Sequence, residues 1–114
     1  MIPHHWIAHH RDEDGELLGY LRPVGDGFEP VTVFGHALAE PSDEDDAAAV
    51  LDAVGLSYLA DRWLLTVPDR AEPIAVQVVE ADADTVRVKN VGYESGLDRH
   101  FTLPVPTDRL QPER

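Results

Sequence analysis

Two Asp-Gly pairs, Asp14-Gly15 and Asp26-Gly27, lie between apolar stretches near the start of the chain and constrain its fold more than any other feature. A tight hairpin turn needs positive φ, which Asp-Gly supplies at low cost, so each pair predicts a reversal of an extended chain. The expected strands are His5–Arg11, Leu17–Val24 and Phe28–Leu38, joined as an antiparallel meander. Pro23 and Pro30 flank the second reversal. Proline lacks an N–H, so pairing there is expected to be interrupted or to lie at a sheet edge.

The run EPSDEDDAAAVLDAVG then changes the period from two to 3.6. Ser42 reads as the N-cap, with Asp45 three residues on in the capping-box place. Asp43, Glu44, Asp45 and Asp46 fill the first turn, where the helix dipole favours negative charge. Ala47, Val50, Leu51 and Val54 follow at i, i+3, i+4 and i+7 and share one face. Gly55 is the expected C′ residue, followed by Leu56 for the closing apolar contact. One helix over about residues 43–54 is predicted, lying on the sheet.

Beyond it, Arg62–Val67, Pro73–Glu80, Thr85–Val91 and the HFTLPVP segment read as strands, separated by turn-forming links and the loop GYESGLD. Val86 and Val88 alternate with Arg87 and Lys89, giving that strand one wet face. The tail TDRLQPER is expected to fray at its end. A chain of 114 residues supports one domain, 1–114, since two cores would each be too small. The fold class is mainly β (α+β): an antiparallel meander, as a partly rolled sheet or small barrel of about 6–7 strands, with one helix packed on it.

Charge narrows the function. The net charge is −13, and residues 1–57 hold twelve acids against Arg11 and Arg22, a balance of −10. A surface of this sign repels phosphate backbones and anionic membranes, so neither nucleic acid nor membrane is an expected partner. A basic protein is the partner such a surface would favour, although self-repulsion that keeps the chain soluble explains the same charge. The absence of cysteine removes disulfides, thiol catalysis and Cys-based zinc sites. No signal-type N-terminus or membrane-length apolar run is present, so a cytoplasmic protein is expected. The residue usage, rich in Ala, Asp, Val and Arg, suggests a bacterial source.

Four of the six histidines lie in HHWIAHH, as His4, His5, His9 and His10. In a strand, successive side chains point to opposite faces, so neighbouring histidines diverge. In a helix, His5 and His9 would stand one turn apart and could chelate, but Pro3 and the following Asp-Gly turn favour the strand. His5 and His9 are therefore the candidate metal ligands, and the expectation is that no metal and no cofactor is bound. Histidine is the side chain type whose charge changes in the physiological pH range, so a pH-sensitive interface is a third reading.

Other motifs fall short. Asp12, Asp14 and Gly15 fit part of a calcium loop, but His10 and Leu21 stand where acids are required. Ser95 lies within GYESG, off the spacing of a nucleophile elbow, and Ser42 is accounted for as a cap. Gly25-Asp26-Gly27 lacks the helix of a dinucleotide fingerprint. Trp6 and Trp63 read as core anchors, and His36 and His100 are assigned no role. The expected function is a non-catalytic protein–protein interaction or self-associating module, with Asp43, Glu44, Asp45 and Asp46 as its interaction surface. The alternative is a small-molecule binding or enzymatic domain with a pocket near the His-rich first strand.

Overall fold

The structure, a computed structural model, describes residues 1–68, 71–91 and 100–113. Its strands are β1 (Ile7–His10), β2 (Leu17–Val24), β3 (Gly27–Val31), β4 (Arg62–Leu65), β5 (Ile74–Ala81), β6 (Thr85–Asn90), β7 (His100–Pro104) and β8 (Leu110–Pro112). The helix α1 (Glu44–Val54) separates the first three from the rest. The mainly β architecture with one helix on a meander stands. The strands form two antiparallel sheets, β1-β2-β3 and β7-β6-β5-β4-β8, and neither closes into a barrel.

Both early reversals occur where expected, with different turn chemistry. β2 and β3 join through Gly25-Asp26, and Gly27 is already paired with Val24. Gly25 carries the positive φ (57°) while Asp26 does not, the pattern of a type II′ turn. The first reversal is a wider loop. The Arg11 N–H donates to the Glu16 carbonyl (2.8 Å), and the Arg11 guanidinium grips Asp14 through two hydrogen bonds. That grip, with the Glu16 N–H, holds the Asp14 carboxyl down to about 2.

The β1–β2 ladder shifts register between His9, opposite Gly19, and His10, opposite Leu17, so Leu18 is extra on β2. Such a bulge puts two successive residues on nearly the same side. Leu18 and Leu21 thereby both reach α1, packing with Ala47 and Leu51, while Tyr20 faces Trp6 on the other side.

The helix cap is Asp43, not Ser42. The Asp43 carboxylate accepts from the Asp46 N–H at 2.8 Å. Ser42 is drawn into an antiparallel bridge with Phe28, donating its N–H to the Phe28 carbonyl and accepting in return. Two cap-competent residues stand side by side, and the bridge takes the first. Gly55 closes the helix at φ 60°, its N–H on the Leu51 carbonyl. Asp43→Ala is expected to cost about 1 kcal/mol of stability and Ser42→Ala no more than a few tenths, measured by urea denaturation. The reverse order would restore Ser42 as the cap.

The larger core belongs to the second sheet, but Val33 and Phe34 enter it from the turn that follows β3. Phe34 is fully buried, edge-on to Trp63 at 4.9 Å and to Tyr58 at 5.9 Å. Its burial is worth about 3 kcal/mol. The Tyr58 hydroxyl donates to the Leu18 carbonyl of β2 (2.9 Å) and accepts from the Val33 N–H (3.0 Å). One buried phenol, on the turn Ser57–Ala60 that leads into β4, therefore ties that turn to β2 and to the segment after β3. Within the tail, Leu110–Pro112 pairs with β4, and Leu110 is buried. The loop Gly92–Asp98 and Ser95 within it lie outside the described residues.

Candidate functional site

The turn after β3 positions the site. Thr32, fully buried, accepts the His36 N–H on its hydroxyl (3.0 Å) and donates its own N–H to the His36 carbonyl (2.8 Å). The Thr107 N–H adds a bond to the Phe34 carbonyl, fixing the turn to the second sheet. His36 is thereby held with its imidazole edge-on to Trp63, ring centres 5.1 Å apart.

His36 and Trp63 line a cleft of about 550 Å³ with Leu38, Val54 and Tyr58. That volume lies within the range of small-molecule and side-chain pockets. Its charged groups are Asp61 and the Arg62–Glu113 pair, 3.3 Å apart with both side chains partly exposed. An exposed pair of this kind contributes little to stability, at most about 1 kcal/mol. Burial pushes the His36 imidazole below its usual value, so it is neutral at neutral pH and offers one donor and one acceptor.

The hydroxyls of the cleft are already engaged. Tyr58 is committed to Leu18 and Val33, and burial raises its phenol to about 12. Ser57 donates to the Val54 carbonyl at 2.9 Å. The Trp63 indole N–H is held by the Tyr58 carbonyl. Among the described residues no hydroxyl is hydrogen-bonded to the His36 imidazole, so no nucleophile is paired with that ring there.

A second groove, of about 480 Å³, runs along the seam between the sheets, lined by Trp6 and Arg22 on one side and by Pro104 and residues 106–109 on the other. Gly35, the neighbour of His36, belongs to it, so one turn forms part of both hollows. Trp6 is half-buried here rather than in the core, whereas Trp63 is the core anchor expected.

The histidines of HHWIAHH line neither hollow. His5 precedes β1, exposed and edge-on to His4 at 6.1 Å. His9 bonds through Nε2 to Asp52 of α1 at 2.8 Å. The structure thus separates His5 from His9, and among the described residues no group of three or more His, Asp or Glu could hold a metal ion. Asp43, Glu44, Asp45 and Asp46 are exposed at the start of α1, where Asp43 is spent on the cap. The Phe28–Ser42 bridge draws the turn carrying Asp26 alongside them. This acidic end is separated from Val54 and the cleft by the length of the helix, about 16 Å.

His36, Asp61, Arg62 and Glu113 received no role from the sequence, because the cleft joins segments far apart in the chain. The only local hint was a histidine within an apolar stretch. No helix among the described residues is long and apolar enough to cross a membrane. The chain matches no family model, no curated protein and no solved structure.

Proposed function

We propose that the protein is a non-catalytic, cytoplasmic interaction module that takes a basic segment of a partner protein in the His36–Trp63 cleft. The observation that carries this reading is the cleft's composition: apolar walls from Leu38, Val54 and Trp63, carboxylates from Asp61 and from Glu113, the latter shared with Arg62, and hydroxyls spent on structural bonds. A lysine or arginine side chain matches that mixture, its stem against the walls and its charge on the acids. The acidic end of α1 and the −10 balance of residues 1–57 steer such a partner from a distance and raise its on-rate.

The test is affinity capture from a native lysate at about 50 and 500 mM salt, with the wild-type chain and an Asp61→Asn/Glu113→Gln variant. A partner held at low salt and released both by high salt and by the variant supports the reading. Retention indifferent to salt and to both substitutions would sink it. Sedimentation of the pure protein decides whether the partner is a second copy of this chain, in which case the variant lowers the dimer fraction.

A further inference from the structure

We propose that the seam groove between the sheets is a binding site for a small planar carboxylate. The nine Lys and Arg residues are outnumbered by 22 acids in this chain, yet two guanidiniums, Arg22 and Arg109, meet in one hollow. Arg22 lies over the Trp6 ring, 5.6 Å from its centre, with its Nη2 on Glu29. Its Nε is buried without a hydrogen-bond partner among the described residues. Arg109 donates through Nε to the Thr66 carbonyl at 3.0 Å, and its terminal nitrogens have no protein partner there.

An anchored guanidinium with free terminal nitrogens is a preformed carboxylate receptor, because the N–H pair and the two oxygens match in spacing and plane. Anchoring through Nε removes part of the ordering cost of binding. The opposing surfaces of the groove specify the rest of the ligand. Trp6, braced by Tyr20 at 6.3 Å, presents an indole, while Pro104 and Pro106 present exposed pyrrolidine rings. Flat apolar surfaces of this kind accept a flat ring. The volume of about 480 Å³ leaves room for a ligand of one or two rings. Asp108, the acid that lines the groove, forms no ion pair with Arg109 and opposes the anion. The site therefore discriminates by local pairing against the repulsion of the molecule as a whole.

The experiment is a ¹H–¹⁵N NMR titration of the full chain with benzoate, set against acetate, benzyl alcohol and benzylamine. The Trp6 and Trp63 indole N–H signals, assigned with Trp6→Phe, serve as reporter and internal control, since the Trp63 N–H is locked on the Tyr58 carbonyl. Benzoate is expected to shift the Trp6 indole and Arg109 Nε–H signals saturably while leaving Trp63 unmoved. Acetate and benzyl alcohol should each bind at least tenfold more weakly, and benzylamine should not bind. Arg109→Gln should weaken benzoate binding at least tenfold, and Asp108→Asn should tighten it. Equal binding of benzoate and benzyl alcohol, equal binding of acetate, or indifference to Arg109→Gln would each overturn the proposal. So would the lack of saturation with benzoate.

Discussion

Gly19→Ala is expected to cost more than about 4 kcal/mol, enough to remove the cooperative unfolding transition of a domain this size. A Cβ at this position would lie 2.2 Å from the Val31 carbonyl oxygen and 3.0 Å from Leu51 Cδ2. The first obstacle is backbone of β3, so relief requires moving a strand, and the second is the end of the buried Leu51 side chain of α1. The residue also has φ 156°, a conformation side chains avoid. Gly15→Ala supplies the control. It too has positive φ (73°), but nothing lies within 4 Å of the added methyl. Only the backbone term remains there, about 1–2 kcal/mol. Circular dichroism melts of the two variants check the contrast. If Gly19→Ala were as mild as Gly15→Ala, the bulge at Leu18 and the seating of α1 on it would be wrong.

Tyr58→Phe should destabilise by about 1–3 kcal/mol although it removes a single oxygen, because it strands the Leu18 carbonyl and the Val33 N–H in the core. The same phenol predicts an alkaline transition. Burial, the dominant cause, raises it from 10.0 to about 12. The folded state thus holds this proton more tightly than the unfolded chain does. Its contribution is fully present below pH about 10 and is lost as pH rises toward about 12, on the order of 2–3 kcal/mol. Denaturant titrations at stepped pH should show that loss in wild type. Tyr58→Phe should start lower and lack this component of the slope. An unchanged alkaline slope in the variant would mean that Tyr58 is not the group responsible.

How much was legible follows from how local each feature is. Helix α1 carried its own period, cap chemistry and terminating glycine, and it formed within a residue of the expected span. The one error, Ser42 for Asp43, came from a contact with Phe28 that no window around the helix contains. The meander was readable from its turns, but the bulge at Leu18 was not, because register is a property of two strands at once. β8 escaped notice because three residues, Leu-Gln-Pro, show no alternation, and their partner β4 lies more than forty positions away. The cleft is the extreme case. It assembles His36, the Tyr58–Trp63 stretch and Glu113, so no spacing in the sequence could announce it. HHWIAHH was conspicuous for the opposite reason: its density is local, while its side chains go to separate places.

Strand β8 also bears on how these molecules meet one another in concentrated solution. β4, Arg-Trp-Leu-Leu, combines strong strand formers with buried Trp63 and Leu65. With its outer edge bare it would offer a template for strand addition between copies. β8 occupies that edge, and it is itself a poor template, being three residues long, ending in Pro112 and followed by Glu113. Resistance to aggregation is therefore divided between two devices of different kinds. The net charge of −13 keeps folded molecules apart and is weakened by salt. The seal on β4 is indifferent to salt and is only as durable as the pairing of Leu110, Gln111 and Pro112.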